Sequence, residues 1–239
     1  MKKIIFLFLI IPFLGIGQSK NIVSTNRVFP KVDKVLEFEK ALTAHAQKYH
    51  TGDWKWRVFE IQTGRDAGGY QITEGPLSWD QIDTRGNLGV EHNNDWNKTV
   101  TIHLNDKSSA GYFAYQDSLS TAKLTDWSDK IAITHWVQKV GYGGKVRENI
   151  IKMKAAWESG GETIAVYTAS GSGPAEYTLV TRYKQGLKER NSGFRTDFKD
   201  RYEAIHGEDS FEGFLSFLQN YLDEQWFEML FYRADLSSK

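Results

Sequence analysis

Ile131-Ala132-Ile133-Thr134-His135-Trp136-Val137 restates a run that occurs once before, at Ile22-Val23-Ser24-Thr25-Asn26-Arg27-Val28. At an offset of 109 residues Ile22 coincides with Ile131 and Val28 with Val137. Each run is rich in β-branched residues and leads through a turn into an amphipathic helix. Further on, Thr63-Gly64 and Tyr70 match Ser170-Gly171 and Tyr177 at an offset of 107, and Tyr115, Leu119 and Ser120 match Tyr232, Leu236 and Ser237 at 117. Small loop insertions and deletions make an offset drift in this way. Three coincidences in one order, each on the same kind of element, point to an internal duplication. The chain is thereby limited to folds that two copies of one small unit can build together.

The periodicity within each copy gives the unit. Residues 21–29 read as a strand, and Val35, Phe38, Leu42, Ala46 and Tyr49 share one face of a helix from about Lys34 to Tyr49, stopped by Thr51-Gly52. Trp54 to Gln62 and Tyr70 to Glu74 form a hairpin that Gly75-Pro76 ends. The stretch from Asn93 to Leu104 alternates like a strand at Val100, Ile102 and Leu104. Trp96, Val100 and His103 repeat like a helix, and the register against Phe211–Tyr221 selects helix. Gly111 to Gln116 is the closing strand. In the second copy, Ile131–Val140 is a strand, Val146, Ile150, Met153 and Trp157 mark a helix, and 163–169 with 176–182 make a hairpin. An extra helix fills 194–205, Phe211, Phe214, Leu215, Leu218 and Leu222 mark the last helix, and Trp226 to Arg233 is the last strand. Each copy is thus β-α-β-β-α-β, the ferredoxin-like unit. Its helices cover one sheet face, while Trp54, Trp56, Val58, Ala165, Tyr167 and Phe231 show that the other face is also apolar or aromatic in many positions. Packing the two sheets on each other supplies that cover. The expected fold is therefore α+β: two tandem ferredoxin-like repeats, 18–121 and 130–239, joined by a linker at 122–129 and packed sheet to sheet as a single-chain α/β barrel.

Residues 1–17 stand outside this scheme. Lys2-Lys3, an apolar run from Ile4 to Ile16, and small residues at Gly15 and Gly17 before Gln18 read as a secretory signal peptide, too short for a comfortable membrane span. The expectation is an exported, periplasmic or extracellular chain with no membrane attachment after cleavage. Without Lys2 and Lys3 the balance is 28 basic to 30 acidic residues, which argues against nucleic acid as a partner. The absence of cysteine excludes disulfides and thiolate metal sites. Stability has to come from packing, and 40% hydrophobic with 14% aromatic residues is enough for a core in each half.

The strand–turn–helix openings Val28–Glu39 and Val137–Glu148, with the strand endings Tyr115-Gln116-Asp117-Ser118-Leu119-Ser120 and Tyr232-Arg233-Ala234-Asp235-Leu236-Ser237, resemble the dimeric α/β-barrel superfamily. More narrowly, they resemble exported bacterial proteins with NIPSNAP-like or antibiotic-biosynthesis-monooxygenase-like halves. The resemblance covers about residues 21–239. It implies a cavity between the sheets, and an activity drawn from cofactor-free monooxygenases, haem-degrading or haem-binding enzymes, or members with no known reaction. A cofactor is not required by it, and haem stays open. The small monooxygenases tend to place an Asn on the first strand. Asn26 matches that position, and its counterpart in the second copy is His135.

Asn26 and His135 either face each other in the barrel, as a proton acceptor or oxygen-stabilising pair, or satisfy local hydrogen bonds near strand ends. Trp54, Trp56, Glu60, Tyr70, Trp136, Tyr167 and Tyr177 either line an aromatic pocket for a flat, partly apolar ligand or fill the inter-sheet core. Glu60 on a mostly apolar strand face needs a partner, and Arg233 is the candidate. His45 and His50 are five apart on a helix, His92 sits three from Asp95, and six histidines without a cluster predict no metal site. Gly141–Lys145 lacks phosphate-loop spacing. The functional expectation is a small-molecule binding protein, with a cofactor-independent monooxygenase or haem-linked enzyme as the alternative; oligomeric state is not legible.

Overall fold

The computed structural model describes residues 19–85 and 88–239. The expected export signal at 1–17 lies outside them. In chain order the elements are β1 (Ile22–Pro30), α1 (Val35–Tyr49), β2 (Trp56–Ile61), β3 (Tyr70–Leu77), α2 (Trp79–Thr84), α3 (Val90–Asp95), β4 (Leu104–Tyr115), β5 (Lys130–Gln138), α4 (Gly143–Ser159), β6 (Ile164–Ser170), β7 (Glu176–Arg182), α5 (Phe198–His206), α6 (Ser210–Tyr221) and β8 (Leu222–Tyr232). The eight strands close into one antiparallel barrel in the order β1-β3-β2-β8-β5-β7-β6-β4. The two portions do more than stack. β2 hydrogen-bonds to β8 through Phe59–Ile61, and β4 to β6 through Tyr112–Tyr115, so the sheets are continuous and their edges are paired.

Alternation along each strand sorts side chains into two environments. Val28, Val58, Tyr70 and Ile72 face outward onto Phe38 and Leu42 of α1. Trp136, Val166, Tyr177 and Leu179 face outward onto Val146, Ile150, Met153 and Trp157 of α4, together with Phe214 and Phe217 of α6. The stripe expected on α4 is buried throughout, because a helix lying on a sheet buries its i, i+4, i+7 face. Inside the barrel sit two further clusters, Val23, Tyr115, Ala165 and Tyr167, and Phe59, Ile61, Ile131, Ile133 and Leu230.

Element limits differ from expectation where polar residues hide a strand. β4 begins at Leu104 rather than Gly111, since Leu104, Ser108 and Ser109 pair with β1 across an irregular, exposed stretch. β8 begins at Leu222, which ends α6 instead of extending it. β3 passes Gly75-Pro76 and runs to Leu77. Gly75 has φ +116°, and a Cβ there would lie 2.8 Å from the Ile22 carbonyl oxygen, so the close approach to β1 requires glycine. α5 spans Phe198–His206, shorter than the expected 194–205 stretch at its start. The residues from Val90 to His103 are helical, as the register indicated, through α3, a π-helical turn at Trp96–Val100 and a 3-10 turn. Among the described residues no helix is long and apolar enough to cross a membrane.

Candidate functional site

The barrel encloses a cavity of about 460 Å³. Its wall is made by the inward residues of the strands, and its character changes along the axis. Val23, Phe59, Phe113, Ile131, Ile133, Tyr167 and Val180 make an apolar stretch that ends on Trp127. The segment 122–129 lies across that end. Arg182, 2% exposed, holds it there by donating from Nη1 to the carbonyls of Lys123 and Asp126, both at 2.7 Å, and from Nη2 to the Tyr167 hydroxyl at 2.9 Å. Arg57 lies over the Trp127 ring at 4.1 Å.

The other end is charged. Glu228 on β8 has a fully buried side chain. One of its oxygens accepts from Arg27 Nη2 of β1 and stands 2.7 Å from His135 Nε2 of β5. His135 Nδ1 donates to Glu176 of β7. Arg27 also reaches Asp66 at 2.7 Å and Gln71 at 2.8 Å. Trp226 stacks on His135 with ring centroids 4.3 Å apart, and exposed Arg65 covers Trp226 at 3.5 Å. The Trp226 indole Nε1 is buried, unpartnered, and on a side chain that lines the cavity.

Protonation follows from these contacts. Burial pulls His135 down, but hydrogen bonds to Glu176 and Glu228 outweigh it and hold the imidazole above its ordinary range. Burial pushes Glu228 up, and His135 with Arg27 outweigh that in turn, so its carboxyl is held below the ordinary range. Arg27 follows the same pattern: burial lowers it, and Glu228 and Asp66 more than restore it. These contacts favour the imidazolium form of His135, which lies between Glu176 and Glu228. Glu176 lines the cavity, as do Asp66 and Glu224, and Thr178 Oγ1 donates to Glu176 at 3.0 Å.

A pH dependence follows with a definite sign. A raised His135 contributes stability that is complete below 6.5 and is lost as pH rises through the folded value. A depressed Glu228 contributes stability that is present above 4.5 and is lost as pH falls through its folded value. The stability gap between wild type and His135→Gln is thus expected to shrink on the alkaline side, and the gap to Glu228→Gln on the acid side. Urea midpoints across the pH range read both; gaps that stay constant at both extremes would contradict this charge assignment.

The sequence candidates divide between the two faces. His135 and Tyr167 line the cavity. Asn26 does not face His135: it points outward beside Val28 and lines a groove under α3, while Arg27 occupies the inward position. Aligning the two strand runs at 109 put Asn26 opposite His135. A slip of one residue exchanges the faces of a strand, and at 108 Arg27 takes that place. Trp136 and Tyr177 are buried in the helix-side core, and Trp56 stacks on His50 outside the barrel. Glu60 and Arg233 pair at 3.1 Å, but in an outer network with Glu39, Asp235 and Tyr70 that ties the chain end to α1. Glu60, Tyr70 and Arg233 are therefore placed away from the cavity. Arg27, Asp66, Gln71, Glu176, Trp226 and Glu228 escaped the sequence reading. The available signal was charge in the middle of apolar strands, Arg27 before Val28-Phe29 and Glu228 before Met229-Leu230. Haem does not fit the cavity through its histidine, because both His135 nitrogens are committed to carboxylates and neither is free for an iron.

The fold and this interior define a class: single-chain eight-stranded α/β barrels with a half-apolar, half-charged internal cavity. No protein-family profile and no curated protein sequence matches the chain. Solved structures do. A candidate monooxygenase from Fusobacterium nucleatum superposes with a TM-score of 0.54 at 14% identity, covering 88% of this chain and 91% of that one. An anthrone oxidase-like protein gives 0.54 at 10% identity over 90% and 92%. A candidate chlorite dismutase gives 0.51 at 8% identity over 90% and 96%. These neighbours share the dimeric α/β-barrel fold, and the likeness is one of fold.

Proposed function

We propose that the barrel binds a small, partly apolar organic molecule with one acidic oxygen-bearing end. The observation that carries this reading is the chemical split of the cavity, with rings and aliphatic groups towards Trp127 and a fully hydrogen-bonded charge network at the opposite end. Pockets of this size that combine an apolar wall with a few convergent polar groups bind and orient small ligands. The ligand's apolar body would lie against Phe59, Phe113 and Ile133, and its acidic hydroxyl would donate to Glu176 and accept from the unpartnered indole N–H of Trp226. A planar probe of this type, 1-hydroxy-2-naphthoate, is expected to quench tryptophan emission saturably. Ala169→Phe, which adds bulk to the cavity wall between Phe113 and Glu176, is expected to weaken binding at least tenfold. Equal quenching of wild type and A169F would remove the reading.

A second reading is favoured by one contact. Glu176 lines the cavity and is hydrogen-bonded to His135, so the pair is placed to take a proton from a bound acidic hydroxyl or methylene. With molecular oxygen as oxidant, an activated methylene would become a carbonyl with release of water, without a cofactor. Oxygen uptake with anthrone, abolished in Glu176→Gln while binding persists, supports this; uptake at the uncatalysed rate leaves binding alone.

The internal duplication belongs to the same proposal. It is supported by the strand neighbours β4-β1-β3-β2 in the first portion and β8-β5-β7-β6 in the second, the same order relative to each start. Export is supported by the basic start and apolar run of residues 1–17.

A further inference from the structure

Three histidines converge outside the barrel, against the expectation that the histidines form no cluster. His45 lies on the buried face of α1 and is fully buried. His50 follows the helix end with φ −111° and ψ 86°, so helical spacing no longer applies and the chain turns the ring back towards His45. His92 comes from α3. His92 Nε2 stands 3.2 Å from His45 Nε2 and 3.4 Å from His50 Nε2, and the three ligating nitrogens lie within 4.8 Å of one another. Four-coordinate zinc with bonds of about 2.0–2.1 Å sets its nitrogen ligands roughly 3.3–3.4 Å apart. Two edges of the triangle already have that length.

The opposite sides of the rings are equally informative. His45 Nδ1 is 2.7 Å from Asp95 Oδ2, His92 Nδ1 is 3.0 Å from Asn93 Oδ1, and His50 Nδ1 is 3.3 Å from Glu74 Oε1. Glu74 is 5% exposed and is held by the Trp56 indole N–H at 2.8 Å and by Arg85 at 2.7 Å. Acceptors at Nδ1 of His45 and His92 favour the proton there and leave their Nε2 atoms able to ligate, while His50 Nδ1, close to Glu74 Oε1, makes no hydrogen bond. The three Nε2 atoms face one another, inside a shell where Trp56 stacks on His50 at 3.5 Å. Oxygen acceptors behind ligating histidines are the usual outer shell of a metal centre.

We propose that His45, His50 and His92 bind a divalent transition-metal ion, zinc by its donor set, between α1 and α3 on the helix-covered side of the sheet. Three protein ligands leave one position of a tetrahedral ion, and the neighbouring groove of about 640 Å³, lined by His50, His92 and Asn26, gives that position access to solvent or a ligand. The site is separate from the barrel cavity: Trp56 and Glu74 leave their strands on the face opposite Phe59 and Thr73.

The test uses the purified full chain, stripped with a chelator and titrated with Zn²⁺ against a chromophoric competitor, and with Co²⁺ as a spectroscopic probe. The expected result is one equivalent bound with a Kd at or below about 1 μM and visible d–d bands of a four-coordinate Co²⁺ centre. His92→Gln and His50→Gln should each raise the Kd at least 100-fold, Asp95→Asn about 10–100-fold, and His103→Gln not at all. Binding that is weak, substoichiometric, or insensitive to H92Q and H50Q overturns the proposal. Should a variant fail to fold, wild-type protein that takes up Co²⁺ without four-coordinate bands overturns it equally.

Discussion

Glu228→Gln is expected to cost the protein about 3–5 kcal/mol of folding stability, the range for removing one partner of a buried ion pair. The Glu228 side chain is fully buried, and Arg27 and His135 are 11% and 8% exposed. The carboxylate is the shared anion of two buried cations. Its amide isostere keeps the volume and removes the charge, so Arg27 and His135 face one another across a neutral group. In a chain of this size a loss of that order lowers Tm by roughly 6–20 °C. Arg27→Met in the same chain is expected to recover part of the loss, because it removes one of the two cations that Glu228 neutralised. A urea midpoint for E228Q within error of wild type would show that the network is solvated and that the cavity's charged end is not built as described.

Arg182→Met should have an effect of similar size through a different mechanism. The guanidinium satisfies the carbonyls of Lys123 and Asp126 and the Tyr167 hydroxyl from a position almost closed to water. Hydrogen bonds from a charged donor contribute about 1.5–3 kcal/mol each, and the acceptors left behind bear their desolvation cost. A loss of about 3–4 kcal/mol is expected. The segment 122–129 also loses its latch, so Trp127 no longer closes the apolar end of the cavity. Limited proteolysis within 122–129 under native conditions should accelerate in R182M while the barrel remains folded. Unchanged cleavage together with unchanged stability would mean that this segment is held by other contacts.

The two effects arise at opposite ends of one cavity. The centre of the charged end, Arg27, His135 and Glu228, comes from three strands, β1, β5 and β8, that are far apart in the chain. The closed end depends on β7 and the connection between β4 and β5. Neither end exists until the barrel closes, because β8 joins β2 and β6 joins β4 only in the complete ring. The site is for that reason a property of closure and of no single element.

What the sequence determined by itself is the set of elements and their succession. The stripe Val146, Ile150, Met153 and Trp157 could only be a helix buried on one side, and the Glu60–Arg233 partnership was visible as an unpaired carboxylate on an apolar strand. What tertiary structure alone decided is which face of each strand looks inward. These strands carry apolar residues on both faces, since one packs on helices and the other lines the barrel, so the two-residue period gives no polarity to read. Arg27, His135 and Glu228 therefore meet through strand pairing and barrel closure. His45, His50 and His92 meet because a helix end and a separate short helix fold back on α1, and no spacing along the chain encodes that return.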